Sequence, residues 1–437
     1  MKFLMKLKAL LKNRNINNAA WLIGGKIFQS ILGLVVSIFT ARYLGPSNYG
    51  LISYAASIVA FLVPIMQLGF NNILVQELTN YPDEEGKVMG TSILLSFFSG
   101  IACILGIFCF TLVANPGERV TTVVCVLYGI MLMPEAIEMI RYWYQYKLLS
   151  KYMSIISFIA YIIVSAYKIF LLATHQKVYW FAISYSIDYL IIAVALLIIY
   201  KKLGRQAFSF SKSIAKRMFS KSKYYIISNL MVVVFAQTDK VMIKLMINDS
   251  ATGYYTAAVT IAGMTSFIYA AIIDSLRPTI FEHKKNDDKK GYEKNITVLY
   301  SIIIYLSFFQ SIIMTLLAPW IIKLMYGPDY TAAVSALQII VWYTTFSYYG
   351  GAKDVWVLAE GKQKYLIWLN MSGALANVGL NLIFIPLVGI NGAAFASLIT
   401  QIFTNIIMMI IIKPLRNNQK LLFRALNPKI LINIFRS

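Results

Sequence analysis

About twelve apolar stretches of roughly 20 to 28 residues alternate with polar loops along the whole chain, and that alternation leaves few folds open. A helical residue rises ~1.5 Å, so ~20 apolar residues cross the ~30 Å hydrocarbon core of a bilayer. The stretches have that length. With 59% hydrophobic residues, 13% charged residues and a mean hydropathy of +0.68, the chain has the composition of a protein solvated by lipid. The expected fold class is all-α, a polytopic membrane protein of about 12 transmembrane helices.

The first six spans read as residues 17–40, 50–73, 88–113, 120–143, 152–174 and 178–200. The second six read as residues 224–247, 254–276, 296–317, 331–358, 365–388 and 391–412. Most of the 40 basic residues fall in alternate loops and the two ends. The opposite loops hold only Arg42, Arg119, Lys177 and Lys323. Six more lie within spans: Lys26, Arg141, Lys168, Lys240, Lys244 and Lys353. By the positive-inside rule both termini are cytoplasmic.

The net charge of +22 is explained by this sidedness and by anionic headgroups, and so does not call for a nucleic acid. Residues 1–18 place Lys2, Lys6, Lys8, Lys12 and Arg14 against Phe3, Leu4, Leu7, Leu10 and Leu11. This pattern reads as an interfacial helix leading into the first span, and no cleavable signal is evident. Cys103, Cys109 and Cys125 lie inside spans without metal-ligand spacing, and His175 and His283 are far apart in loops. No metal site, catalytic constellation or cofactor is expected.

The most basic connection, Lys201 to Lys223, divides the spans six and six. The reading is an N-terminal lobe over residues 1–203, a cytoplasmic amphipathic linker over 204–223, a C-terminal lobe over 224–412 and a basic cytoplasmic tail over 413–437. Phe210, Ile214 and Met218 recur every fourth residue, the pattern of a helix lying on the inner membrane surface. A faint internal repeat aligns Gly50 to Ile58 with Gly253 to Ile261, each opening the second span of its half. Even span numbers make such repeats parallel, related by an axis along the membrane normal.

The segment Arg42-Tyr43-Leu44-Gly45-Pro46-Ser47-Asn48-Tyr49-Gly50, with Gln67-Leu68-Gly69-Phe70 closing the next span, resembles the opening of bacterial polysaccharide transporters, the O-antigen and capsule flippases. Three further segments follow in that family's order: Thr238 to Ile243 with Gly253-Tyr254-Tyr255, then Tyr326-Gly327-Pro328-Asp329-Tyr330, then Ile385 to Ala394. The resemblance covers nearly the whole chain. It implies the multidrug/oligosaccharidyl-lipid/polysaccharide exporter fold, two pseudo-symmetric six-helix lobes around a central cavity that opens to either side in turn. It also implies the cargo, an undecaprenyl-diphosphate-linked oligosaccharide moved from the cytoplasmic to the periplasmic leaflet. The expected setting is a monomeric carrier working beside glycosyltransferases and a glycan polymerase.

Six basic and six acidic residues within spans would each cost ~2.5–3.5 kcal/mol facing lipid. Arg141, Asp274, Lys353 and Asp354 lie near inner ends and Lys168 and Lys244 near outer ends, so these basic side chains are expected to snorkel. Lys26 shares a face with Gln29, Ser30, Gly33 and Ser37, a stripe that faces either a cavity or a closely packed helix. Gln237, Lys240 and Lys244 share a face of the seventh span with Asn229. Lys26 and Lys240 are the expected anion contacts, with Gln29 and Gln237 beside them. The alternative for Lys240 is an ion pair with a neighbouring helix.

Arg42 at the outer mouth and Arg277 before Pro278 either gate the openings or anchor helix ends. Glu138 pairs with Arg141 one turn away, leaving Glu135 freer. Glu135, Asp188 and Asp239 are the expected sites for coupling to a H+ or Na+ gradient. The amide stripes Asn370, Gly373, Asn377, Asn381 and Gln401, Asn405 read as interhelical hydrogen bonding or as a sugar-contacting wall. Rival functions are a multidrug extruder of the same superfamily, whose cationic cargo favours acidic walls, and a membrane glycan polymerase, which needs a larger external loop.

Overall fold

The computed structural model describes the backbone of residues 14–204 and 206–430 and the side chains of residues 32–204 and 206–430. The interfacial helix expected over residues 1–18 falls mostly outside the described residues, as do the side chains of Lys26 and Gln29. The described residues form helices and turns only. In order they are α1 (Arg14–Met66), α2 (Leu74–Asn80), α3 (Glu85–Ala114), α4 (Arg119–Gly129), α5 (Leu132–Ile137), α6 (Arg141–Tyr146), α7 (Ser150–Ala173), α8 (Val178–Leu203) and α9 (Lys212–Met246). They continue as α10 (Asp249–Gly263), α11 (Ser266–Lys285), α12 (Lys289–Met325), α13 (Ala333–Ala359), α14 (Lys364–Val388), α15 (Ile390–Ile402), α16 (Met408–Ile411) and α17 (Asn417–Ala425).

Ten stretches among the described residues are long and apolar enough to cross a membrane. The first contains two expected spans: α1 leaves helical geometry at Gly45 (φ 70, ψ 171) and resumes. The 27-residue α13 covers the tenth expected span. Within the expected spans, Pro134 sits where the fourth is broken into α4, α5 and α6, while helix continues around Pro64 and Pro386.

The described residues fall into two compact units. One takes the chain up to Leu44 together with Leu62–Ile227; the other takes Gly45–Phe61 together with the chain from Ser228 onward. In the first, Phe70, Leu74, Leu78, Val88, Trp143, Leu196 and Tyr200 form a buried cluster joined by Ile214 and Met218. The apolar face of the expected surface linker therefore packs on protein. Residues 212–223 are the opening turns of α9 and no separate helix lies there. Their polar side is fastened to a buried acid: Glu77, 1% exposed, accepts from Arg217 Nε at 2.9 Å and from Lys221 at 2.6 Å, and Arg217 also reaches Glu84 at 2.9 Å. Removing one partner of a buried carboxylate strands charge. Arg217→Ala should therefore destabilise this unit by about 2 kcal/mol, read as a lower detergent melting temperature.

In the second unit three of the family-like segments, scattered over the sequence, come together. Tyr49 lies 6.4 Å, centroid to centroid, from both Tyr326 and Tyr330, Tyr326 lies 5.1 Å from Tyr330, and Tyr254 lies 6.0 Å from Tyr330. The two repeat-opening glycines bring their helices together at the same place. A Cβ on Gly50 would lie 1.8 Å from the Asp249 carbonyl oxygen and 2.6 Å from Gly253 N, and one on Gly253 would lie 2.0 Å from the Pro46 carbonyl oxygen. Neither position has room for a side chain. Between α14 and α15 the turn at Gly389 has φ 63, ψ −137, so Ile385 to Ala394 forms the hairpin that sets α15 against α14.

At another end of this unit Glu360 accepts from Lys284 at 2.7 Å and Tyr292 at 3.0 Å, fastening α11 and α12 to the end of α13. Partial burial pushes the Glu360 carboxyl upward, but the hydrogen bonds from Lys284 and Tyr292 and the charges of Lys284 and Lys362 outweigh it, leaving its pKa below the ordinary value. A carboxylate with a depressed folded pKa adds stability that is present above its unfolded pKa and is lost as the pH falls through the folded one. Glu360→Gln should accordingly lower the melting temperature near neutrality and flatten the acid limb below about pH 5, where the variant and the unaltered protein converge.

Candidate functional site

On α9 the helical periodicity sets Gln237, Thr238, Asp239 and Lys240 round successive faces, so one turn addresses several neighbours. Asp239, 7% exposed, is the centre of a network closed from three other helices. Its Oδ1 accepts from Asn381 Nδ2 of α14 at 2.6 Å, and its Oδ2 accepts from Tyr255 Oη of α10 and Ser397 Oγ of α15, each at 2.5 Å. Asn381 Nδ2 also donates to Asn377 Oδ1 at 3.1 Å, and Asn377 Nδ2 reaches Ser397 Oγ at 3.4 Å. The Oδ1 of Asn381 is buried with no hydrogen-bond partner. A buried carboxylate ringed by two hydroxyls and an amide, with the Asn381 oxygen unpartnered beside it, is an ionisable group that can take a proton, or a hard monovalent cation if the surrounding donors turn their oxygens to it.

One residue on, Lys240 is half-buried and donates to Gln237 Oε1 at 3.2 Å, which also accepts from Ser57 Oγ at 3.2 Å. The amine forms no ion pair among the described residues, and Asp239 acts on it only as a nearby charge. Lys244 does not share its role: it is 6% exposed and pairs with Asp249 at 2.9 Å, so the snorkelling expected of it is replaced by a buried ion pair at the start of α10. Lys353 departs from expectation in the same way. It is 3% exposed and bonds Asn405 at 3.1 Å and Asp354 at 3.1 Å, while Asn405 bonds Gln401 at 2.6 Å. That amide stripe thus serves interhelical bonding.

In the first unit, Gln67 of the Gln-Leu-Gly-Phe segment donates to Glu135 Oε1 at 3.1 Å, while Glu135 Oε2 is buried and unpartnered. Glu138 pairs with Arg141 as the spacing predicts. Asp188 on α8 likewise keeps a buried, unpartnered Oδ1 and lies in the electrostatic field of Lys168. Lys168 turns back over the ring of Tyr185, 4.1 Å from its centroid, instead of reaching outward. Arg42 is exposed three residues before the break at Gly45. Arg277 pairs with Asp274 at 3.2 Å on the exposed side of α11, which runs on through Pro278 to Lys285.

Sequence reasoning passed over Tyr255 and Ser397 because an aromatic residue and a hydroxyl in an apolar helix read as packing. Their signal was positional. Tyr255 closes the Gly253-Tyr254-Tyr255 segment, and Ser397 lies one turn beyond the small-residue run Gly392-Ala393-Ala394.

An all-helical chain with ten described stretches long and apolar enough to cross a membrane, and with a carboxylate network and an amine inside them, is a multi-pass membrane protein. The comparisons agree. Residues 16–284 match the family described as polysaccharide biosynthesis protein, and the chain belongs to that family. Its fold is similar to that of the structure titled lipid II flippase MurJ, inward closed conformation: TM-score 0.72, 15% identity, 95% of this chain and 93% of that one. It is similar also to an inward-facing multidrug resistance MATE family transporter of the MOP superfamily, with TM-score 0.66, 13% identity and coverage of 89% and 96%. A curated relative, the uncharacterized membrane protein MJ1068 of Methanocaldococcus jannaschii, is 25% identical over 240 residues, 52% of this chain and 46% of that protein. The match thus spans less than half the length of that relative.

Proposed function

We propose that the chain is a flippase that carries undecaprenyl-diphosphate-linked oligosaccharide repeat units from the cytoplasmic to the periplasmic leaflet of the bacterial inner membrane, both termini cytoplasmic, for O-antigen, capsule or a related surface polysaccharide. The observation that carries this reading is Lys240: a cation within a span, held by Gln237, whose Oε1 also accepts from Ser57, and by no carboxylate pair among the described residues. An amine kept at that cost in lipid is suited to an anionic cargo group. Sugar hydroxyls and a diphosphate each cost several kcal/mol to desolvate, so the protein supplies polar walls while the polyprenyl tail stays in lipid.

The coupling ion is H+ or Na+, and its site is the Asp239 network, where protonation or cation binding would free or engage the donors on α10, α14 and α15. Membership in the polysaccharide biosynthesis family supports the cargo class, and the sided distribution of basic loops supports the orientation.

The test is a deletion strain scored for lipid-linked oligosaccharide by mass spectrometry, with lectin access reporting the leaflet. Loss of the carrier should leave a defined repeat unit accumulating on the cytoplasmic side. No accumulation would sink the flippase reading, and export of cationic dyes in its place would favour a multidrug extruder. In the same strain Lys240→Ala should lower complementation at least about tenfold with normal insertion, a loss of about 1.4 kcal/mol or more of cargo interaction, while Lys240→Arg should be partly active.

A further inference from the structure

Three stretches of the first unit carry tyrosine and charge on one side. The broken span has Tyr128, Glu135 and Tyr142 at intervals of seven, α7 has Tyr161, Ser165 and Lys168 at offsets of four and seven, and α8 has Tyr185, Asp188 and Tyr189 at offsets of three and four. On α7 and α8 other faces are apolar and exposed, with Ile159, Ile162, Phe170, Leu190, Val194 and Ile198 each more than 40% exposed. These are faces for lipid. The tyrosine sides face one another: Tyr128 and Tyr185 have ring centroids 4.6 Å apart, Tyr189 lies within electrostatic reach of Glu135 and Asp188, and Tyr161 within reach of Tyr185 and Asp188.

We propose that this tyrosine-lined face, with the unpartnered oxygens of Glu135 and Asp188 as acceptors, is a subsite for one sugar ring of the cargo, and that it sets which repeat unit is carried. The inference rests on the flippase reading above and deepens it.

The chemistry fits a pyranose better than a second charged group. An aromatic ring offers a broad, weakly negative face that packs on the C–H side of a sugar. Lys168 over Tyr185 and the Tyr128 ring 4.6 Å away fix the orientation of that half-buried ring, and its remaining exposed part together with the half-buried Tyr189 is what a ligand would meet. A sugar hydroxyl is a donor, and the buried Glu135 Oε2 and Asp188 Oδ1 are acceptors left without one. Gln67 pins Glu135 by its other oxygen, so the free one is presented at a fixed place. The acid Glu138, taken up by Arg141, is not available for this role. A site built on acceptor oxygens also discriminates: an epimer that moves a hydroxyl leaves a buried carboxylate oxygen unpaired, which is worth 10-fold or more in affinity.

The purified protein in nanodiscs would be offered two probes by native mass spectrometry: undecaprenyl diphosphate bearing the host's own repeat unit, and bare undecaprenyl diphosphate. The unaltered protein should prefer the glycosylated lipid. Tyr185→Leu and Asp188→Asn should each cut that preference about tenfold or more with binding of the bare lipid unchanged, while Tyr185→Trp should retain most of it. A thermal melt checks that each variant is folded, and Tyr185→Trp serves as the packing control. Equal binding of both lipids by the unaltered protein, or a preference unchanged in both Tyr185→Leu and Asp188→Asn, overturns the subsite and leaves the flippase reading standing. Binding of neither lipid overturns both. Loss of ion dependence without loss of glycan preference would assign Asp188 to coupling and likewise overturn the subsite.

Discussion

Asp239→Asn is expected to abolish cargo translocation while leaving a folded, inserted protein, and Asp239→Ala to abolish both translocation and much of the stability of the second unit. The two substitutions separate charge from hydrogen bonding. Asparagine removes the ionisable group, keeps one acceptor oxygen for Asn381 or for the two hydroxyls, and replaces the other oxygen with an amide donor from which a hydroxyl can accept. Alanine takes from the hydroxyls of Tyr255 and Ser397 and from the Asn381 amide the carboxylate that accepts from all three in a buried place. At ~1–3 kcal/mol for each buried unsatisfied group, the loss is about 3 kcal/mol or more, well above a typical single substitution. Thermal melts in detergent with and without Na+, at pH 6 and pH 8, give the readout. The unaltered protein should be stabilised by the ion that couples transport and Asp239→Asn should not. An unchanged ion response in the asparagine variant, with full translocation, would remove Asp239 from the coupling role.

A comparably large effect is expected at the paired glycines. Gly50→Val and Gly253→Val should prevent the second half of α1 from seating on α10, lowering stability by about 3 kcal/mol or more and leaving little folded protein to purify. The neighbours at 1.8 and 2.0 Å are backbone carbonyl oxygens of Asp249 and Pro46, which cannot rotate away as a side chain could. Alanine at either position should already be costly. Gly106 makes an internal control, since a Cβ there meets no atom within 4 Å and Gly106→Ala should be tolerated. Fluorescence-detected size exclusion of tagged variants would rank the three. Normal yield and melting temperature for Gly50→Val would refute the close-packed junction.

Hydropathy and sided charge made the helices legible because lipid imposes one rule on every residue of a span. The pairings of the charges were less legible. Position along a span suggested that Lys168, Lys244 and Lys353 reach the interface, whereas an aromatic ring holds the first, Asp249 pairs with the second, and Asp354 and Asn405 bind the third. Depth in a helix says nothing of rotation towards a neighbour on another helix, and at these sites the neighbour decides. Asp239 was legible as an oddity in an apolar run, but its partners are 16, 142 and 158 residues away, and no local period connects them. The surface linker illustrates the opposite failure. Ile214 and Met218 were rightly seen as one apolar face, but an apolar face can be satisfied by Phe70 and Leu74 as well as by lipid, and the sequence pattern is the same.

The contact of Gly50 with Gly253 also sets a timetable for biosynthesis. At 5–20 residues per second, the ~200 residues between them take a ribosome about 10–40 s to make. For that interval the second half of α1 is in the membrane with its glycine-bearing face open and its partner not yet synthesised. A pause in translation before α10 would lengthen that interval and should lower the yield of folded protein, whereas slower initiation, which puts fewer such open faces in the membrane at once, should raise it without altering a single residue.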